Sequence, residues 1–452
     1  MPSETHTTRR RVLAAAVATT VGCTSRRPAS RSDGSAATAS GGATTTDEPT
    51  TAPPATRTAA WPQFGVTPRN TGHAPVTGPG DDPTLAWRYD AGTPTMNASP
   101  VVADGVVYAP GSGAPGTVHA VDAASGERLW ATEPAGYATC APALVDDTLY
   151  FGTFAGQFHA LDATTGEASW QRQIGHRFGR SSPAVVDGTV YVATLGDGPL
   201  FVTGDESEAF EAPALLALDA ETGSRRWRFG EFPKRGSLSA SPAVADGTVY
   251  LGTERALIAV DTADGSELWR REIAAHSESS PAVDDGVVYY GGPAETGDTP
   301  ARLWALDAAT GESLWQAGID DISLRTSPAV ADGTVYVAAS SMRACTGDSC
   351  YGTTRGQLYA LDTTTGDRQW TASIETDTRS SPAVADGTVY VGCNDGLAAV
   401  STTGETLWHH SFETDRSDTA PYVKSSPAVA NGRVYVGASD GRLRAVGSNG
   451  GQ

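Results

Sequence analysis

Lysine is nearly absent from this sequence, and basic residues as a whole are scarce. Lys234 and Lys424 are the only lysines among 32 basic residues, whereas 52 residues are acidic and the formal net charge is −20. Because so acidic a chain repels a phosphate backbone, we expect no nucleic-acid partner. Acidity combined with arginine in place of lysine favours a halophilic protein, although a genome composition that favours arginine would leave the same pattern.

Long apolar runs are missing as well, so no segment is expected to span a membrane. The run that follows Arg9-Arg10-Arg11 and ends at Val21 is short and rich in Ala and Thr. Residues 1–23 resemble a twin-arginine (Tat) export signal, with Val12 where such signals usually carry phenylalanine. We therefore expect an exported protein.

The end of this signal and the stretch after it predict how the protein is held. Gly22-Cys23 resembles a lipobox, although Thr20 stands where leucine is usual, so Cys23 is the expected lipidation site. An ordinary cysteine in a discarded signal is the alternative, and the protein would then be secreted. Residues 24–58 consist mainly of Ser, Thr, Ala, Gly and Pro, which predicts a disordered tether before the folded domain at 59–447.

Cysteine is also rare, with five in the chain. Cys345 and Cys350 lie close together in one loop, where an exported protein can form a local disulfide. Cys140 and Cys393 occupy ordinary repeat positions and are interpreted as small buried residues.

One eleven-residue unit recurs along the chain, in the form Ala360-Leu-Asp-Thr-Thr-Thr-Gly-Asp-Arg-Gln-Trp370. Its copies end at a tryptophan, and Trp87 stands where one further copy would end; the set is Trp87, Trp130, Trp170, Trp227, Trp269, Trp315, Trp370 and Trp408. A second unit, Ser-Pro-Ala-Val-x-Asp-Gly-x-Val-Tyr, lies between successive tryptophans, as at 182–191. Repeats of roughly 40 residues with four strand-like pieces are typical of propeller blades.

Each repeat predicts strands A to D. Asp187-Gly188 is a strong two-residue hairpin signal between strands A and B, and Gly366 supplies the positive φ of the turn between C and D. Strand D is expected to begin at the tryptophan. Trp87 provides a D strand before any A strand, whereas the chain ends after a C strand, Leu443-Arg-Ala-Val446. The sequence therefore predicts an all-β, eight-bladed propeller in which an N-terminal strand completes the last blade.

The unit Ala160-Leu-Asp-Ala-Thr-Thr-Gly-Glu-Ala-Ser-Trp170 resembles the tryptophan-docking motif of pyrroloquinoline-quinone (PQQ)-like propellers. The resemblance covers roughly 61–447, and the segments 61–64 and 69–72 also look like the start of that superfamily. It implies one of two functions. The chain could be a BamB-like protein-assembly scaffold without a cofactor, or a quinoprotein dehydrogenase with PQQ and calcium.

Three features expected of a quinoprotein dehydrogenase are missing from this sequence. No two cysteines are adjacent, no haem attachment motif is present, and no Glu, Asn and Asp can be matched to that class's calcium and catalytic positions. We therefore expect a monomeric binding or scaffold protein with no catalytic residues and no metal. The alternative is a PQQ-dependent dehydrogenase or another ligand-dependent enzyme.

Histidines and aspartates are the next candidates for chemistry. His119 and His159 stand three residues before the turn aspartate and are interpreted as strand C residues, while His409 and His410 lack a third ligand at a sensible spacing. The repeated aspartates are interpreted as turn caps: Asp122, Asp162, Asp219, Asp261, Asp307 and Asp362.

The position three residues before the proline of strand A predicts a binding site. Five of its eight occupants are charged: Arg180, Glu278, Arg325, Arg379 and Lys424. Strand A is innermost in a propeller, so these side chains are expected at the mouth of the central channel. The alternative is a set of solvated loop charges in which Glu278 balances one cation.

Loop lengths predict the same face. The long connections 195–213, 340–355 and 409–424 all belong to the D–A or B–C type, which lie at one end of the strands. We expect a protein partner or a small anionic ligand to bind there.

Overall fold

The computed structural model describes residues 59–447 except for 114–115, 175–176, 196–211, 231, 233–237, 254, 274–278, 293–299, 321–323, 341–344, 347–348, 351–354, 375 and 414–419; for 59–60, 345–346 and 349–350 it describes the backbone. The expected signal and tether, Glu278, most of the long connections 195–213 and 340–355, and residues 414–419 of the third lie outside these ranges. Within them, no helix is long and apolar enough to cross a membrane.

Within the described ranges, eight sheets of four or five strands form a propeller. The leading strands and the first four blades are as follows: β1 (Ala59–Trp61), β2 (Thr84–Asp90); β3 (Val101–Ala103), β4 (Val106–Gly111), β5 (Thr117–Asp122), β6 (Arg128–Thr132); β7 (Ala143–Val145), β8 (Thr148–Gly152), β9 (Gln157–Asp162), β10 (Ala168–Gln173); β11 (Ala184–Val186), β12 (Thr189–Ala193), β13 (Leu215–Asp219), β14 (Arg225–Phe229); β15 (Ala243–Ala245), β16 (Thr248–Gly252), β17 (Ala256–Asp261), β18 (Glu267–Glu272).

Blades five to eight follow in chain order, and blade six carries a small extra hairpin between its B and C strands: β19 (Ala282–Asp284), β20 (Val287–Gly292), β21 (Ala301–Asp307), β22 (Ser313–Ile319); β23 (Ala329–Ala331), β24 (Thr334–Ser340), β25 (Cys345–Thr346), β26 (Ser349–Cys350), β27 (Gly356–Asp362), β28 (Arg368–Ser373); β29 (Ala383–Ala385), β30 (Thr388–Gly392), β31 (Gly396–Ser401), β32 (Thr406–Ser411); β33 (Ala428–Ala430), β34 (Arg433–Gly437), β35 (Arg442–Gly447).

The predicted closure is confirmed. Strand β2 pairs antiparallel with β35, so the fourth strand of blade eight comes from the beginning of the domain. The innermost strands of blades one and eight, β3 and β33, also contact each other. The pairing with β2 gives blade eight its fourth strand and leaves no open edge on β35.

The A–B turns follow the predicted hairpin chemistry. In blade one Asp104 and Gly105 have φ values of 46° and 77°, and Asp187 and Gly188 repeat the pattern at 47° and 67° in blade three. Two consecutive positive φ angles make the primed turn that matches the strand twist. The prediction that strand D begins at the tryptophan was wrong by two residues, because β6 begins at Arg128 and a bulge precedes Trp130.

Blades are joined through the tryptophans. The indole of Trp130 in blade one donates to the carbonyl of Ala163 in blade two at 3.0 Å, and it lies on Gly166, where an added Cβ would meet the ring at 2.6 Å. The same indole-to-carbonyl bond is made by Trp87, Trp170, Trp227, Trp269, Trp315 and Trp370. Each of these tryptophans also packs against a tyrosine of its own blade, and Trp408 does the same with Tyr390. Apolar clusters fill the spaces between neighbouring blades, as around Tyr108 and Leu149.

Candidate binding cup at the channel mouth

The residues before each strand A surround one cavity at the centre of the ring, with a volume of about 190 Å³. We call this cavity the cup. Four of the predicted charged residues line it together: Arg180, Arg325, Arg379 and Lys424. Asn97, Thr139 and Ser239 occupy the same repeat position in three further blades and also line it. Glu278 lies outside the described residues, so its predicted place there stays a prediction.

The cations differ in how firmly they are held. Arg180 and Arg379 are exposed, whereas Arg325 and Lys424 are half-buried. The Lys424 ammonium lies 4.5 Å from the centre of the Tyr422 ring, a cation–π contact that fixes the side chain at the rim.

A ring of serines lies in the wall of the cup. The backbone N–H of Ser182 donates to the hydroxyl oxygen of Ser241 at 2.9 Å, and the N–H of Ser241 donates to Ser280 in the same way at 2.8 Å. Further links of 2.8–3.2 Å continue round the channel through Ser327, Ser381, Ser426 and Ser99. Ala141 stands in blade two, where the other blades have serine, so the ring of hydroxyls is interrupted there.

The bottom of the cup is formed by the segment before β2. Phe64 lines the cavity, and the carbonyl oxygens of neighbouring residues accept hydrogen bonds from strand A: Pro62 from Leu144, Pro68 from Val244, Arg69 from Val283, Thr71 from Val330 and Gly72 from Val384. Residues 62–72 therefore bind the inner strands of blades two, four, five, six and seven. The channel is filled from the A–B side, and the cup opens at the other end.

The charge of the cup is opposite to that of the whole chain. Its described lining contains four cations and no carboxylate, in a protein with a net charge of −20. Arginine forks and hydroxyl groups are donors suited to a carboxylate or phosphate group. The cup is therefore chemically suited to an anion.

Calcium-dependent quinone chemistry does not fit this donor set. Calcium takes six to eight oxygen ligands, usually with carboxylates among them. The described lining offers hydroxyls and the Asn97 amide, without a carboxylate, and its four cations would repel a dication. The cations do suit the carboxylates of an organic ligand, but no calcium site accompanies them among the described lining residues.

The two strand C histidines are structural. His119 is buried between the hydroxyls of Tyr89 and Thr117, at 2.9 and 2.7 Å, and burial followed by the charge of Arg128 lowers its pKa to about 4. His159 stacks on Phe151, and burial lowers its pKa to about 4 as well. Both rings stay neutral near pH 7.

The repeated aspartates cap their turns. Asp122 accepts from the N–H of Ser125 at 2.7 Å, and this bond holds the pKa of the carboxyl below its usual value. The other members accept backbone N–H bonds in the same way: Asp162, Asp219, Asp261, Asp307 and Asp362. They act within their own turns.

The cysteines have separate environments. Cys345 and Cys350 are backbone partners in the β25–β26 hairpin, and the disulfide between them stays a prediction. Cys140 is buried and free, and burial raises its thiol pKa to about 11. Cys393 is also buried, and Asp395 and His409 lie beside it. The sequence analysis did not predict this group.

Two other features of the site were missed although the sequence carries a signal for each. The serine before the strand A proline was predicted only as part of the strand A motif. In the structure it also links neighbouring blades round the cup. The segment at 61–72 was recognised by resemblance alone. Its Asn70, with a positive φ of 56° and an amide that donates to Pro242 and Pro281 carbonyls, marks a fixed irregular path.

Known proteins of several kinds share parts of this sequence. A quinohemoprotein alcohol dehydrogenase from Comamonas testosteroni is 30% identical over 200 residues, which is 40% of this chain and 27% of the relative. The outer membrane protein assembly factor BamB from Moranella endobia is 26% identical over 326 residues, 68% of this chain and 66% of the relative. The chain thus spans less than two thirds of the length of either curated relative.

The solved structures agree on the fold. The crystal structure of the quinohemoprotein alcohol dehydrogenase from Comamonas testosteroni superposes with a TM-score of 0.66 at 19% identity, and the match covers 87% of this chain and 82% of the other. The family model described as outer membrane protein assembly factor BamB matches residues 80–195, 212–349 and 346–452. Because these matches cover most of the chain, the protein belongs to the BamB-like family of PQQ-type propellers.

Proposed function

We propose that this protein is an exported, lipid-anchored scaffold that holds a partner protein at the cell surface by receiving an acidic segment of that partner in the cup. The observation that carries the proposal is the convergence of four cations from four blades on one cavity whose described lining has no carboxylate. Membership of a family described as an assembly factor supports a protein as the ligand.

The shape of the cup favours a segment of chain over a whole domain. A cavity of about 190 Å³ holds a side chain or a chain end. Arg325 and Arg379 can each grip a carboxylate through two parallel hydrogen bonds, and the rest of the partner would rest on the surrounding D–A and B–C loops. Because Phe64 and its neighbours fill the channel below, the acidic segment enters from one side.

High salt would leave this mode of binding in place. The Debye length falls to about 3 Å near 1 M salt, so charges that act at a distance are screened. A carboxylate in direct contact with an arginine fork loses less of its binding energy. A halophilic setting, which the composition favours, would therefore select contact over long-range steering.

The rival function is a PQQ-dependent dehydrogenase, which the relative from Comamonas testosteroni favours. The two functions are distinguished by the melting temperature of the purified full-length protein. It is measured with PQQ plus calcium and, in parallel, with a short acidic peptide. A saturable rise in melting temperature with the peptide, and none with PQQ and calcium, is expected. A saturable rise that requires both PQQ and calcium would favour the enzyme.

The anchoring part of the proposal has its own test. Replacing Cys23→Ser should release the protein from the membrane fraction into the medium, because the serine cannot be lipidated. Replacing Arg9→Lys together with Arg10→Lys should stop export. A serine variant that stays with the membrane fraction would remove the lipid anchor from the proposal, while leaving the cup as it is.

A further inference from the structure

Blade seven carries a cysteine and an aspartate in the turn between its B and C strands. Strand β30 ends at Gly392, Cys393 and Asp395 follow, and strand β31 begins at Gly396. His409 lies in β32 opposite Ala398 of β31. These elements bring the thiol sulfur, one carboxylate oxygen and one imidazole nitrogen within 4.8 Å of one another.

Blade four has a turn of the same length between its B and C strands and serves as a comparison. Thr253 precedes strand β17 as Cys393 precedes β31, and each N–H donates to the first residue of the next strand at 2.8 Å. Thr253 also donates from its hydroxyl to the Ala256 carbonyl at 2.9 Å, whereas the thiol of Cys393 lies 3.7 Å from the Val391 carbonyl. Blade seven therefore has a cysteine where blade four has a threonine whose hydroxyl stabilises the turn by a hydrogen bond.

The positions of the other two side chains in the group also differ between blades four and seven. Asp395, one residue before strand C, corresponds to Arg255 in blade four, and His409, one residue after the tryptophan, corresponds to Arg270. Where blade four has a turn hydroxyl and two cations, blade seven thus has a thiol, a carboxylate and an imidazole. All three new groups belong to the side-chain types that bind transition metals.

The surroundings already orient the carboxylate. Asp395 Oδ1 lies 3.1 Å from His409 Nε2 and accepts from the Thr376 hydroxyl at 3.0 Å, while its Oδ2 accepts from the Ser411 hydroxyl at 3.4 Å. Hydroxyl partners of this kind fix the direction of a ligand and are a usual outer layer of metal sites. His410, next along the strand, lies beside Phe412 and is not part of the group.

Access to solvent is one-sided. The Cys393 side chain is buried, while the side chains of His409 and Asp395 are 16% and 27% exposed. An ion can enter from the exposed side, and a water molecule can complete its coordination there. The thiol must lose its proton to bind, and that proton passes to solvent.

We propose that Cys393, Asp395 and His409 form a three-ligand site for a divalent transition metal of the zinc class. A thiolate and an imidazole select such a metal over calcium or magnesium, which prefer all-oxygen ligands. On binding, the hydrogen bond between His409 and Asp395 is replaced by a bond from each residue to the same ion. The site lies in blade seven, independent of the cup and of the proposed scaffold function.

The test adds Co²⁺ or Zn²⁺ to purified, chelator-treated, full-length protein. With Co²⁺, a near-ultraviolet thiolate-to-cobalt band should appear and saturate at one ion per chain; with Zn²⁺, the melting temperature should rise. Cys393→Thr restores the residue of blade four, so it should fold, and it should lose the band. His409→Gln should weaken metal affinity at least tenfold.

The matched control is Cys140→Thr, which removes the thiol of another buried cysteine. It should keep the full signal. Any band from Cys23, Cys345 or Cys350 would persist in Cys393→Thr, and subtracting the two spectra removes it. Absence of a Cys393-dependent band, or equal loss of signal in the Cys140 and Cys393 variants, would overturn the proposal.

Discussion

The indole Nε1 of Trp87 donates a hydrogen bond of 3.0 Å to the carbonyl oxygen of Ala123, and this bond joins blade eight to blade one. Tyr435 donates to the same oxygen at 3.3 Å, and the Arg433 guanidinium donates to it at 2.6 Å. The seam that closes the ring is therefore made by the tryptophan contact that joins other blades, with an added arginine.

Gly126 is a position where a larger side chain would disturb the contact between blades eight and one. Its φ is 76°, and an added Cβ would lie 2.7 Å from the Trp87 ring. Gly105 has nearly the same φ, 77°, but an added Cβ there would meet nothing within 4 Å. Gly126→Ala and Gly105→Ala should each carry roughly 1–2 kcal/mol of backbone strain. Gly126→Ala should lose about 1–3 kcal/mol more of the free energy of unfolding through overpacking. Chemical denaturation measures the difference, and equal losses would contradict the docking account.

The serine ring predicts opposite effects at neighbouring blades. Ser182→Ala removes the acceptor of the Ala141 N–H, a bond of 3.0 Å at a buried site, and should cost about 1–3 kcal/mol of unfolding free energy. Ala141→Ser adds a hydroxyl at the interrupted position, next to Ser99, and should gain up to about 1 kcal/mol. Calorimetric melting gives both values. Shifts of the same sign in both variants would show that the ring does not stabilise the inner wall.

The buried histidines predict how stability depends on pH. The pKa values of His119 and His159 are lowered to about 4 in the folded protein, while the unfolded chain has the ordinary value near 6.5. Between pH 6.5 and 4 the unfolded state therefore binds protons that the folded state does not. Each histidine should lower the unfolding free energy by up to roughly 1.4 kcal/mol per pH unit as pH falls through this window.

The aspartate turn caps act in a separate range. Asp219, for example, has its pKa lowered from 3.8 to about 2, chiefly by the Arg226 hydrogen bond, so its contribution is lost below pH 4. Replacing His119→Gln and His159→Gln should flatten the stability profile between pH 6.5 and 4 and leave the fall below pH 4 in place. A profile unchanged by the two replacements would contradict the assignment.

The fold was predictable because its determinants repeat. Asp-Gly turns, Ser-Pro steps and tryptophans recur in a fixed order, and the unpaired Leu443–Val446 strand required the one that contains Trp87. The start of strand D was misplaced because the bulge before Trp130 depends on pairing with β5, which a single strand's sequence does not specify.

The site was only partly predictable. Arg325 and Arg379 share a repeat position, so symmetry alone places them together round the channel. The path of 62–72 depends on carbonyl-to-strand bonds that have no side-chain signature. Cys393, Asp395 and His409 come from a turn and an outer strand that meet only through the C–D register. Spacing along the chain therefore hid their proximity.

The central claim is that the cations of the cup hold an acidic segment. The most direct measurement is calorimetric titration of a short glutamate peptide into the full-length protein in high salt. Arg325→Gln with Arg379→Gln should weaken binding by roughly 100-fold, because two charge-assisted contacts worth about 1.5 kcal/mol each are lost. The control, Arg225→Gln with Arg271→Gln, removes two exposed arginines from outer strands and should bind as the parent does. Unchanged binding by the cup variant, or equal loss in the control, would contradict the account.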